Sequence, residues 1–124
     1  MMNTVLWITA SLLALAVMAS GAVKLAKSRD DLAAAYPWVE DYSQGQVRLI
    51  GAAEVLGGIG LVVPPAVGVL SVLSPVAATG LAVLMAGAVV VHLRRGEASN
   101  TVLPLVLLVL AAALAVLRFG QFAF

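Results

Sequence analysis

RLIGAAEVLGGIGLVVP, residues 48–64, is the stretch from which the fold of this chain is read. It is a transmembrane-helix pattern with one carboxylate, Glu54, set inside it. An ionised acid in hydrocarbon is costly, so an intramembrane carboxylate marks a candidate functional site by default. Its neighbours Gly51, Ala52, Ala53, Gly57, Gly58 and Gly60 are small. Gly51, Glu54 and Gly58 follow an i, i+3, i+7 spacing and share one helix face. Glycine on that face admits a second helix at short range, which assigns Gly51 and Gly58 to helix packing.

The whole chain carries the same signature. Of its 124 residues 63% are hydrophobic and 10% charged, with a mean hydropathy of +1.11. Soluble domains are nearer a quarter charged. Seven basic against six acidic side chains leave no basic stripe for phosphates, which argues against nucleic acid as a partner. The absence of cysteine excludes disulfides, a dithiol redox pair and iron–sulfur ligation. The single histidine, His92, cannot build a multi-histidine metal site, so no metal is expected.

Four spans follow, at about 3–25, 46–63, 74–92 and 102–118, in one domain over 1–124. The first is long enough for a hydrocarbon core of roughly 30 Å. The first lacks the basic n-region of a signal peptide and is read as a retained helix. The expected fold is all-α: a polytopic membrane four-helix bundle. Lys27 to Gly45 is the one markedly polar stretch. Ser28 can cap a short helix there, Pro37 interrupts it, and Tyr36, Trp38 and Tyr42 suit a membrane interface. It reads as a solvated loop or, more sharply, as a lid. Pro64 and Pro65 are expected to end the second span. Ser74-Pro75 either starts the third span, with Ser74 as cap, or kinks a longer one. The fourth span has no polar residue in its middle and reads as scaffold.

With four spans, the first and third loops share a side, and that side carries Lys27, Arg29, Arg94 and Arg95. The positive-inside rule puts those loops in the cytoplasm and both termini outside. The same arrangement places Lys24, Arg48, Glu54 and His92 in one half of the membrane. They are the expected polar cluster or ligand-binding group. Arg48 and Glu54 are about 120° apart around their helix, so they do not pair directly.

Several runs together resemble the DoxX-like family of small bacterial membrane proteins. They are GAVKL at 21–25, RLIGAAEVLGGIGLVVP at 48–64 and PVAATGLAVLMAGAVVVH at 75–92, followed by LRRGE, with Arg118 closing the pattern. The resemblance implies a four-helix protein of the bacterial cytoplasmic membrane. It also implies a place in a membrane oxidoreductase system, since the family name derives from a thiosulfate:quinone oxidoreductase subunit. On that reading the chain is an accessory subunit. It binds a quinone or another small amphipathic molecule, works with redox partner proteins, and is free to form homo-oligomers. Two alternatives stand beside it: an assembly protein without a ligand, and an enzyme using Glu54 as acid or base.

Overall fold

The computed structural model describes residues 1–124. Its elements are α1 (Met2–Ala26), α2 (Arg29–Ala33), α3 (Gln44–Val67), α4 (Leu73–Arg94) and α5 (Val102–Phe119), with 3₁₀ turns at Pro37–Asp41 and Ala98–Thr101. α1, α3 and α4, and α5 together with the turn before it, are each long and apolar enough to cross a membrane. α1 packs on α3, α3 on α4, α4 on α5, and α5 returns to α1. Short links join α3 to α4 and α4 to α5, and Gly51 faces Lys24 while Gly58 faces Ala14, so successive long helices run antiparallel.

The spacing of the buried residues explains the packing. On α3 they are Val47, Gly51, Glu54, Gly58 and Leu61, alternating steps of four and three. On α4 they include Ser74, Ala78, Leu81 and Met85, with the same alternation. A repeat of 3.5 residues keeps a seam turned toward its neighbour along a left-handed bundle. Leu6, Ala10, Leu13, Ala14 and Val17 of α1 meet Leu61, Leu81, Ala111 and Leu114 in one central core. The outward faces carry Leu12, Leu15, Leu49, Leu56, Val83, Val109 and Val116, all exposed and suited to lipid.

α3 begins two residues earlier than its apolar pattern suggests. Ser43 and Gln46 form a reciprocal capping box: Ser43 Oγ accepts from the Gln46 N–H at 3.1 Å, and Gln46 Oε1 accepts from the Ser43 N–H at 2.9 Å.

At its other end α3 runs through Pro64 and Pro65 to Val67, where those prolines were expected to stop it. A proline lacks the N–H that would bond to the carbonyl four residues back. For Pro65 that carbonyl belongs to Leu61, and the Ser74 hydroxyl donates to it instead, at 2.7 Å. The helix then closes on Gly68 at φ 73°, with the Val69 N–H bonded to the Pro64 carbonyl. Ser74 is therefore not a cap. α4 starts at Leu73, Ser74 lies buried in its first turn, and its side chain serves α3. Pro75 falls in that first turn, where no helical donor is needed, so α4 starts without a kinked extension before it.

The polar stretch between α1 and α3 is more ordered than a solvated loop. Ser28 caps α2 through the Asp31 N–H, as expected. Leu32, Val39 and Val47 are fully buried together, with Val23, Ala33, Trp38 and Tyr42 packed around them. This small second core seats α2 and the Pro37–Asp41 turn against the α1 and α3 ends.

Candidate functional site

The tightest approach in the bundle is between α1 and α3. A Cβ added at Gly21 would stand 2.5 Å from the Gly51 carbonyl oxygen, and one at Gly51 would stand 2.8 Å from the Gly21 oxygen. Only glycine on both helices permits this contact between backbones. Gly58 faces Met18 and Ala14 of α1 in the same seam.

That approach brings Lys24 and Glu54 together. Lys24 Nζ lies 2.6 Å from Glu54 Oε1, and the two side chains are 10% and 4% exposed. Lys24 Nζ also donates to Ser20 Oγ at 2.6 Å, one helical turn back on α1. The Trp38 ring stands over the ammonium with its centroid at 5.8 Å, a cation–π distance, and Trp38 is braced edge-on by Tyr42. The result is a buried ion pair with an aromatic roof. An ammonium has three N–H donors, and here two are engaged. Glu54 Oε2 takes no hydrogen bond from the chain. One donor and one acceptor of the pair are thus left unengaged.

The other two residues of the expected cluster are elsewhere. Arg48 is exposed on the outside of α3 and makes no ion pair. Its six-residue offset from Glu54 turns it away from the α1 seam. His92 is held by Glu97, with Nδ1 to Oε1 at 3.0 Å. The cause is the turn after α4: Gly96 adopts φ 71°, and the Glu97 N–H returns to the His92 carbonyl at 2.8 Å. That turn folds the Glu97 side chain back onto the ring. Arg95 adds Nε to Glu97 Oε2 at 3.2 Å and Nη1 to Asp41 Oδ2 at 2.6 Å, tying the two loops of this end together. His92 hydrogen bonding and then Arg95 hold the Glu97 carboxyl below its ordinary range, while the Asp41 and Glu97 carboxylates raise the Arg95 guanidinium. The four-residue cluster is thus two separate groups: Lys24–Glu54 within the bundle, and His92–Glu97–Arg95–Asp41 at its rim.

The Ser20-x-x-x-Lys24 spacing signalled one of the residues around the pair, since i and i+4 share a helix face. Trp38 and Glu97 gave no periodic signal, because both reach their partners through irregular turns. An apolar recess of about 280 Å³ between α3 and α4 is lined by Ala53, Gly57, Ala77, Gly80, Leu81, Val83 and Leu84. It lies on another face of α3, and the ion pair is not part of its lining.

The model of the DoxX-like family matches residues 8–114, most of the chain and including the Gly21–Gly51 contact and the Lys24–Glu54 pair. The protein belongs to the DoxX-like family. Comparison with curated proteins and with solved structures gives no match. With its four long apolar helices, this DoxX-like chain is a multi-pass membrane protein. The family match stops at 114, four residues short of Arg118, which the sequence pattern had included.

Proposed function

We propose that this DoxX-like protein is an accessory membrane subunit. It holds a quinone-like amphipathic molecule at the Lys24–Glu54 pair and supplies it to redox partner proteins. One observation carries the reading: the buried pair keeps one ammonium N–H and one carboxylate oxygen unengaged, with the ammonium under the Trp38 ring. A quinone carbonyl accepts from the first, and a quinol hydroxyl donates to the second. The indole offers a flat apolar surface to the ring. A buried ion pair is also a poor device for stability alone, since a well-packed apolar pair of similar volume is often no worse.

The binding test is native mass spectrometry in mild detergent with an added short-chain quinone. The wild type should retain a 1:1 adduct, Glu54→Gln and Lys24→Met should lose most of it, and Arg48→Gln should keep it. Absence of an adduct in the wild type at saturating quinone removes the ligand reading.

A second reading, an assembly protein without a ligand, is favoured by the Gly21–Gly51 contact, which makes the pair a lock between α1 and α3. It is the reading that survives a negative result. A membrane enzyme using Glu54 as acid or base is the third, and it would need turnover by the isolated protein.

The proposed setting is the bacterial cytoplasmic membrane with both termini outside. Lys24, Lys27, Arg29, Arg48, Arg94 and Arg95 all lie toward one end of the bundle, which the positive-inside rule assigns to the cytoplasm. The chain has no cysteine, so single cysteines at Ser43 and Ser99 report the side directly. Both should resist an impermeant thiol reagent in intact cells. Labelling of either reverses the orientation.

A further inference from the structure

Arg118, in the last turn of α5, is 4% exposed, and no carboxylate pairs with it. Every other cation drawn into the fold has an acid beside it: Lys24 has Glu54, Arg29 has Asp30, and Arg95 has Asp41 and Glu97. The reason lies in the charge distribution. Asp30, Asp31, Glu40, Asp41 and Glu97 are in the loops of the opposite end, and Glu54 is in the half of α3 nearest them. The end that holds Arg118 has no acidic side chain.

The guanidinium is only half engaged. Its Nη1 donates to Asn3 Oδ1 at 2.8 Å and to the Phe122 carbonyl at 2.9 Å. The Phe124 ring lies 3.9 Å from Cζ, and Trp7 meets that ring edge-on at 5.5 Å. The Nε and Nη2 donors make no hydrogen bond within the chain. Arg118 lines an open pocket of about 430 Å³ together with Asn3, Trp7, Gln121, Phe122 and Phe124. All of these residues lie outside the segment that matches the family, so the family's reading does not account for them.

We propose that this pocket binds a phosphate-bearing anion, the headgroup of an anionic phospholipid. A buried guanidinium needs a counter-charge, and no side chain at this end of the bundle supplies one. Its free fork of Nε and Nη2 matches two phosphate oxygens. Gln121 adds an amide, and the Trp7, Phe122 and Phe124 rings line the pocket as belt aromatics do at the level of lipid headgroups. Free inorganic phosphate has the same recognition chemistry but no acyl chains for those rings.

Native mass spectrometry separates the sources. The purified wild type is offered phosphatidylglycerol, phosphatidylcholine or inorganic phosphate. Retention of phosphatidylglycerol at least tenfold above phosphatidylcholine is expected, with Arg118→Gln abolishing the preference, Arg118→Lys keeping part of it, and Arg48→Gln unchanged. Equal retention of the two lipids by the wild type overturns the proposal. So does a preference that survives in Arg118→Gln. Displacement of the bound lipid by millimolar inorganic phosphate overturns the lipid as source and assigns the site to the free anion. Should Arg118→Gln fail to fold, the wild-type thermal midpoint decides. It should rise with phosphatidylglycerol and stay level with phosphatidylcholine, and no difference between them counts against the site.

Discussion

The two ends of this bundle solve the same problem differently. At one end buried or half-buried cations meet carboxylates of the same chain: Lys24 with Glu54, and Arg95 with Asp41 and Glu97. At the other, polar groups turn to uncharged acceptors: Ser74 to the Leu61 carbonyl, and Arg118 to the Phe122 carbonyl and the Asn3 side-chain amide oxygen. Carboxylates confined to one end can lock helices there without help. The far end is held by hydrogen bonds to carbonyls and keeps one guanidinium without a side-chain carboxylate beside it. The charged end is therefore self-sufficient, and the other depends on its surroundings.

The largest expected effect breaks the self-sufficient end. Glu54→Leu leaves Lys24 buried without its partner and should lower stability by about 3–5 kcal/mol. Glu54→Gln should lose less, because the amide oxygen still accepts from Lys24. The double change Lys24→Leu with Glu54→Leu should recover most of the loss. Thermal unfolding in detergent, followed by circular dichroism, measures all three. If the double variant is as unstable as Glu54→Leu, the pair is not the energetic unit of this end.

Next in size is the backbone contact beneath that pair. Gly21→Val forces a side chain against the Gly51 carbonyl and the Val55 and Glu54 side chains, and backbone cannot yield as a side-chain tip can. Overpacking of this kind costs about 1–3 kcal/mol. The substitution should also separate Lys24 from Glu54, so any quinone adduct should fall with stability. Gly87→Val, where an added Cβ meets nothing within 4 Å, is the control and should be neutral. A neutral Gly21→Val would mean that α1 and α3 approach less closely than described.

A smaller effect probes the backbone-held end. Ser74→Ala removes the donor that serves the carbonyl freed by Pro65 and should cost about 1 kcal/mol. The companion change Pro65→Ala restores the helical N–H. In that background Ser74→Ala should be nearly silent, and a double-mutant cycle over the two sites reads the coupling directly. Additive effects would separate the serine from the proline.

What the sequence made legible follows the same division. The spans could be read because hydropathy and the period-3.5 seam are local, repeated signals. Lys24 and Glu54 could be matched because antiparallel neighbours put the end of one helix beside the start of the next. Arg48 and His92 could not be sorted by depth alone. Arg48 needed its angle around α3, and His92 needed the Gly96 turn that delivers Glu97 to it. Ser74 was misjudged because Ser-Pro is an ordinary helix start, and nothing local says that its hydroxyl serves another helix. Arg118 was read only as the residue closing the family pattern. Its burial depends on Asn3 and on Phe122 and Phe124, which fold back over it from the chain ends.

The smallest expected effect lies at the rim of the charged end, where ion pairs are half in water. Glu97 is 20% exposed, and its carboxyl is held below the ordinary 4.5 by the His92 hydrogen bond first and by Arg95 next, against a desolvation that opposes both. A folded-state value below the unfolded one fixes the sign. The contribution is whole above pH 4.5 and fades as the pH falls through the lowered value. Acid should therefore loosen the Gly96–Thr101 turn before it disturbs the bundle. Hydrogen exchange of the Glu97 and Asn100 amides, which bond to His92 and Glu97 carbonyls, reads that turn directly. Exchange, corrected for the intrinsic pH dependence, should quicken as the pH falls below 4.5 in the wild type. In Glu97→Gln, which has no proton to gain, it should be flat across that range. High salt should shrink the difference, because screening reaches an exposed network far more than the pair under Trp38. If Glu97→Gln keeps the wild-type acid response, another carboxylate at this end governs the turn. Asp41, the other acid bonded to Arg95, is then the group to test.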